Sequence, residues 1–437
     1  MRAPRERCSR VPARAIGVRA PVRPSTSVRH GGRVPIKVLI TSPVFPPDLG
    51  GPATYVPSLG RFLVERGHEV RVLAFCSDPA PTGHPFEVET ISRGSLPVRY
   101  LKAFWRVLRT AGWADVIYVQ EHLALLHVLA ARLRRRPVAI RIMVDGAWEI
   151  SHRKGWCGGD TITEFQGKRY GWRPALARAL QRRWWGMTRR IVCCSDFLRG
   201  ILTDSYGVPE DKTVTILNAY HGPRAADVEE TREEAREALG LEQDARYALT
   251  VCRLMVWKRV DQIVRAVAEL PADVRLLVAG DGDMLEEWQR LAADLGVGDR
   301  VTFLGNVPHE RVPLLIRAAD VFVLNSEYEG LSHTLLEVQA LGTPMVASGV
   351  CGNPEVVEDG VNGLLVDPRD HHDLAGAMSQ VLDDPAKARR FVEAGLERVD
   401  RFDRAATFGL VEQLLAGLAG LDQGASARSG ASGSEAK

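Results

Sequence analysis

From residue 36 onward the chain alternates short, continuous apolar runs with longer stretches whose apolar residues recur every three or four positions. Ile36-Lys37-Val38-Leu39-Ile40 is rich in β-branched residues and gives way to a Pro/Gly loop, the pattern of a buried strand. A helical stretch follows over 53–66, Gly67 stops it, and 69–74 opens the next strand. Runs at 116–119, 138–143 and 191–194 repeat the type. Strands separated by helices require crossover connections, hence a mainly parallel sheet covered on both faces.

A second series of strand-like runs lies at 247–251, 274–278, 301–303, 321–324 and 345–347, with helical stretches that include 283–295 and 331–341. Two successive doubly wound units suit this length better than one very large sheet. The break falls near 218–227, where His221-Gly222-Pro223 interrupts any regular element. The expected division is an N-terminal unit at 35–220, a C-terminal unit at 221–401, and a helix at about 402–420 that can pack back on the first unit. The flanks, 1–34 and 421–437, read as structureless tails.

Composition narrows the class. The 437 residues are 45% hydrophobic and 25% charged, the balance of a globular protein rather than a disordered or collagen-like one. A net charge of +3 is too small to argue for nucleic acid. The longest uncharged apolar-looking run, 122–131, has ten residues, whereas a spanning helix needs about 20. Seven cysteines with no Cys-x-x-Cys point to a reducing compartment and no structural zinc. The N-terminal flank holds nine arginines against Glu6, which suits a disordered arm better than a transit peptide and lacks the apolar core of a secretory signal. A cytoplasmic protein is expected. Basic amphipathic segments at 96–109 and 173–190 suit either an anionic membrane surface, an acceptor cleft, or simple burial of their aromatic faces on the sheet.

Three loops could carry chemistry. Ser42-Pro43-Val44-Phe45-Pro46-Pro47-Asp48-Leu49-Gly50-Gly51 lies between the first strand and a helix. Gly50 and Gly51 would admit a ligand to the backbone at a helix N-terminus, whose free N–H groups favour an anion. The loop is neither Gly-x-Gly-x-x-Gly nor a Walker sequence, so NAD and ATP hydrolysis are not indicated. In Val251-Cys252-Arg253-Leu254-Met255-Val256-Trp257-Lys258-Arg259, Arg253 and Lys258 flank a strand-to-helix loop where two cations can converge on a diphosphate. In Glu329-Gly330-Leu331-Ser332-His333-Thr334-Leu335-Leu336-Glu337, two carboxylates eight residues apart would share a face, Glu329 before the helix and Glu337 inside it. A carboxylate among apolar helix positions needs a partner, and a ribose diol or a core arginine would serve.

Together these loops resemble those of the retaining glycosyltransferases of family 4, whose GT-B fold sets two Rossmann-like domains face to face. The resemblance runs from about residue 36 to 415. It takes in Gly67-His68-Glu69-Val70, Asn218 at the hinge, Ala279-Gly280-Asp281-Gly282, Gly342-Thr343-Pro344 and Gly352-Asn353-Pro354-Glu355. It implies that Arg253 and Lys258 bind the donor diphosphate and stabilise the leaving group. Glu337 would hold the nucleotide ribose, and Glu329 would face the donor sugar. Gly51 would offer its amide to the phosphates, and the amides after Gly330, from Leu331 through Ser332 to His333, would face the sugar or diphosphate. Many members have a histidine after the strand at 138–143. Here Met143-Val144-Asp145-Gly146-Ala147-Trp148-Glu149 resembles a bacterial branch reading Gly-Asp-x-x-Trp-Glu, with Phe165-Gln166 downstream. Asp145 would then stand on the acceptor side near the sugar, or else simply cap a turn.

Asp281-Gly282-Asp283 matches a metal-binding Asp-x-Asp only superficially, and Asp283 is expected to be a helix N-cap. No metal or cofactor is expected, and His371-His372 reads as surface. The implied activity is transfer of a hexosyl group from a nucleotide-diphosphate sugar to a hydroxyl acceptor, configuration retained, in glycolipid, polysaccharide or cell-envelope glycan synthesis. Such an enzyme could touch the inner membrane face peripherally. The rival readings are a sugar-nucleotide epimerase or phosphorylase on the same fold, and a non-catalytic nucleotide-sugar-binding subunit.

Overall fold

The computed structural model describes residues 34–48, 50–78, 81–92, 94–120, 124–220 and 222–430, without the side chains of Leu96 and of 421–430. Most of the Arg-rich flank, together with Leu49 and His221, lies outside these residues.

Seven strands build the first sheet: β1 Lys37–Ser42, β2 Glu69–Phe75, β3 Glu87–Ile91, β4 Val116–Val119, β5 Val138–Ile142, β6 Arg190–Cys193 and β7 Thr213–Thr215. They are ordered β3-β2-β1-β4-β5-β6-β7 and all pair in parallel. The second sheet has six strands: β8 Arg246–Val251, β9 Val274–Ala279, β10 Val301–Gly305, β11 Val321–Leu324, β12 Met345–Ser348 and β13 Leu364–Val366. Their order is β10-β9-β8-β11-β12-β13, again parallel throughout. In both sheets the order reverses beside the first strand of the unit, β1 in one and β8 in the other. Ligands of doubly wound sheets bind at the carboxyl ends of strands at such a switch point. The Gly50-Gly51 and Arg253 loops occupy those two places.

The closing helix, Arg404–Gly430, belongs to the first half by packing. Phe408 is fully buried and meets the rings of Tyr55 and Phe62 edge-on, at 5.4 and 5.6 Å. Glu412 is buried against His68 at 3.1 Å and Arg66 at 3.3 Å. The backbone stays helical through Gly430, so the tail expected from 421 is regular for its first ten residues. An anchored helix extends at the cost of one more residue per hydrogen bond. Residues 431–437 lie outside the described residues.

Candidate functional site

The two halves meet where β5 ends and the Glu329 loop begins. Tyr328 Oη donates to the Met143 carbonyl at 2.6 Å. Asn218, fully buried between the sheets, donates to the Leu331 carbonyl at 2.8 Å and accepts from Arg141 at 2.8 Å. Gly330 is pressed so close that a Cβ would fall 2.2 Å from the Met143 oxygen. A glycine is needed there for the approach itself. Across the same seam Glu355 accepts from the amides of Asp196 and Phe197, at 3.0 and 2.9 Å, the start of a helix in the first half. Burial pushes the Glu355 carboxyl above its ordinary range.

Between the halves lies a cleft of about 410 Å³. Its first-half wall includes Gly51, Met143, Val144, Trp148 and Glu149, and its second-half wall includes Arg253, Lys258 and the run Tyr328 to Thr334. The expected Gly51, Arg253, Lys258, Glu329, Gly330, Leu331, Ser332 and His333 are therefore all brought to one place. Gly51 opens the helix Gly51–Glu65, whose first turn carries no acidic side chain. Its dipole end is left positive towards an anion. Gly50 is the cap residue before it, beside the cleft wall rather than in it.

Lys258 and Glu329 form an ion pair, and Ser326 Oγ donates to the same Glu329 oxygen at 2.8 Å. Burial alone would lower the Lys258 pKa, but Glu329 beside it holds the ammonium above its ordinary value. Arg253, by contrast, is exposed and makes no hydrogen bond or ion pair with any other described side chain. Its loop is set by glycines the Asp-Gly-Asp sequence conceals. A Cβ on Gly280 would fall 1.8 Å from the Cys252 oxygen, and one on Gly282 would fall 2.4 Å from that of Leu254. Asp283 is not the N-cap expected. The Met284 amide bonds back to Leu254 at 3.1 Å, so the helix starts later, at Leu285, with Met284 in the cap position.

Glu337 lies on the helix His333–Leu341, capped by Ser332. Glu329 precedes that helix, so the two carboxylates do not share a helical face, and their partners differ. Glu337 is 3.6 Å from His309 and does not line the cleft itself. Burial raises its pKa, partly opposed by His309.

The clearest correction concerns Asp145. It is completely buried and caps the helix Gly146–Arg153 through the amides of Ala147 and Trp148. Gln181 and the Ala147 amide meet Oδ1 at 2.7 and 3.0 Å, and Gln166 and the Tyr206 hydroxyl each meet Oδ2 at 2.7 Å. Five donors share its two oxygens, and Asp145 does not line the cleft, so it takes the capping role, the alternative reading of this aspartate. The cleft carboxylate on this side is Glu149, one helical turn later. Both carboxylates stand in one short stretch of sequence, and which of them meets the cleft is decided by Gln166, Gln181 and Tyr206, partners from later elements that the local pattern does not show.

Comparisons with known proteins agree with this geometry. Residues 49–221 match the family model described as Glycosyltransferase Family 4, and 231–398 the one described as Glycosyl transferases group 1. The GDP-mannose-dependent alpha-(1-6)-phosphatidylinositol monomannoside mannosyltransferase of Mycolicibacterium smegmatis is 29% identical over 82% of this chain and 92% of its own. The D-inositol 3-phosphate glycosyltransferase of the same organism is 41% identical over 43% of each chain. For the first curated relatives the match spans about half of their length or less, 43–51%. Anabaena Alr3699/HepE, solved with UDP and glucose, superposes with a TM-score of 0.69 at 22% identity, covering 87% of this chain and all of that one. The fold is GT-B.

Proposed function

We propose that this chain is a glycosyltransferase of the family 4 type that moves a hexosyl group from a nucleotide-diphosphate sugar to a hydroxyl acceptor with its anomeric configuration retained. The observation that carries this is the cleft itself. Two cations and a loop of amides on one wall face a helix N-terminus on the other. Arg253 and the Gly51 helix end take the diphosphate, and Lys258 joins them. Lys258 is released from Glu329 as the phosphates arrive, which leaves the Glu329 carboxylate to the hydroxyls of the donor sugar. Fixed positive charge where the leaving diphosphate develops its own negative charge is the main catalytic term. Glu149 receives the acceptor hydroxyl from the opposite wall. Glu337, on the helix His333–Leu341 that follows the amide loop, holds the nucleotide ribose. Because Arg253, Lys258 and helix-end amides neutralise the diphosphate, turnover persists in EDTA. Loss in chelator, restored by Mg²⁺ or Mn²⁺, would refute that part.

The names of the relatives support a nucleotide-sugar donor and a glycolipid or glycan product. The HepE structures carry UDP, and the mycobacterial relative is named for GDP-mannose and a phosphatidylinositol mannoside. A panel of UDP- and GDP-sugars, scored by thermal shift and by slow hydrolysis, tests the donor. No stabilisation by any of them overturns the reading, and an interconverted sugar with no hydrolysis would favour the epimerase.

The membrane surface belongs to the same proposal. No helix among the described residues is long and apolar enough to cross a membrane. Yet, among the described residues, eight of the fourteen large apolar residues that stand exposed lie on three helices packed side by side, Leu96–Thr110, Leu125–Leu133 and Trp172–Met187. Trp105 is 60% exposed, Leu133 61% and Trp172 71%. Lys102, Arg132 and Arg183 stand among them. Each cation near an anionic surface contributes about 1 kcal/mol. Binding to phosphatidylglycerol vesicles should fall steeply with salt, and Leu101→Ser with Trp105→Ser should weaken it while nucleotide binding holds. Unchanged vesicle binding by that variant would show the face to be packing only.

A further inference from the structure

Away from the cleft, the second half gathers three side chains that lie far apart in sequence. Glu269 is the last residue of the helix Val260–Glu269, and His371 and His372 open the helix His371–Leu382. The two helices pack against each other. This places His371 Nε2 3.2 Å and His372 Nδ1 2.7 Å from one carboxylate oxygen, Glu269 Oε1. The imidazoles lie partly over one another, with centroids 4.1 Å apart and planes inclined by 32°. One ligand atom from each of the three residues falls within 4.8 Å of the others.

We propose that Glu269, His371 and His372 form a binding site for a divalent transition metal of the zinc class, distinct from the transfer site. Zinc with two nitrogens and one oxygen at about 2.0–2.2 Å keeps neighbouring tetrahedral ligand atoms about 3.4 Å apart. The atoms found here, 3.2 and 2.7 Å from the shared carboxylate oxygen and within 4.8 Å of one another, bracket that spacing. Two imidazoles and one carboxylate suit Zn²⁺, Ni²⁺ or Cu²⁺ and suit Mg²⁺ or Ca²⁺ poorly, since the hard cations require oxygen. Three protein ligands leave the fourth position to water. Access exists, because the His372 side chain is 73% exposed and that of Glu269 37%. The nearby Asp370 is not part of the set. Its Oδ1 accepts from the His372 and Asp373 amides at 2.9 and 3.1 Å as the helix cap.

The cluster sits between the negative end of Val260–Glu269 and the positive end of His371–Leu382, whose dipoles oppose each other there. A bound metal would tie the two helices together at the end of Val260–Glu269 opposite the donor loop, since that helix begins directly after Lys258 and Arg259.

The test uses the full chain, stripped with chelator and titrated with ZnCl₂. Calorimetry should give one saturable equivalent, and the melting temperature should rise by about 2–4 °C once the metal exceeds its Kd several-fold. Co²⁺ in place of Zn²⁺ should give the visible absorption of a low-coordinate site, and Mg²⁺ should do neither. His371→Ala with His372→Ala should abolish all three signals while sugar-nucleotide binding holds, and Glu269→Gln should weaken the site in a variant that keeps both rings. Absence of saturable Zn²⁺ binding, or equal binding by the double variant, overturns the proposal. Neither result depends on whether the cleft transfers sugars.

Discussion

At the scale of single residues, burial decides which carboxylates are structural and which face a substrate. Asp145 holds Gln166, Gln181, Tyr206 and two amides at once. Asp145→Ala strands all of these donors inside the first half. It should cost about 2–4 kcal/mol, the sum of a lost cap and unsatisfied buried groups, read as a lower urea midpoint at unchanged slope. Glu149 projects into the cleft instead. Glu149→Gln should leave stability and donor affinity alone and slow transfer at least tenfold. An unchanged transfer rate would remove Glu149 from the reaction. Glu337 shows the opposite trade. Its pKa is raised because burial penalises the charged form, so the ionised side chain costs stability at neutral pH and the cost disappears on acidification. Glu337→Gln should therefore melt higher than the parent at pH 7, and the gap should close as the pH falls through the carboxylate range. The same variant should bind sugar nucleotides less tightly by about 1–3 kcal/mol, the scale of charged hydrogen bonds to a diol. A variant that melts no higher would show that burial of the carboxylate costs nothing, and one that binds equally well would separate Glu337 from the ribose.

At the scale of elements, what the sequence reveals depends on position in the sheet. The central strands were legible because they are buried on both faces and read as continuous apolar runs. The strands at 116–119 and 321–324 coincide with β4 and β11. The strands that escaped are β3, β7 and β13, and each lies at a sheet edge. An edge strand is solvated along one side, so Glu87, Glu89 and Thr90 in β3 or Thr213 and Thr215 in β7 break the apolar run that marks a strand. The fourth edge, β10, showed only through Val301 to Phe303. Site residues follow a similar rule. Loops flanked by strong strands could be placed, whereas the occupancy of Asp145 depends on Gln181 and Tyr206, which come from far along the chain. Gly330 is where loop and partner half touch, with no room for a Cβ beside the Met143 oxygen. Gly330→Ala must push the two walls apart. Its donor affinity should drop at least tenfold while far-ultraviolet circular dichroism stays unchanged, and retained affinity would show that the seam yields without cost.

At the scale of the whole molecule, the chain is two sheets laced together by a few long-range bonds. The closing helix returns Phe408 and Glu412 to the first half, so the first half is built from two separate pieces of sequence with the second half between them. Asn218, Tyr328 and Glu355 then fix how the halves meet, and the cleft has its width only while those bonds hold. Glu355 is the one that can be removed without disturbing a core. It caps the start of the short helix Asp196–Gly200 from the other half, and its raised pKa records the desolvation this contact costs. Glu355→Ala gives those amides back to water. The halves should then sample wider separations, seen as a larger radius of gyration by solution scattering without nucleotide, and the difference should shrink when a bound sugar nucleotide bridges both walls. Donor affinity should weaken two- to tenfold, because part of the binding energy now closes the cleft. Superimposable scattering curves with and without the mutation would show that Asn218 and Tyr328 hold the seam unaided.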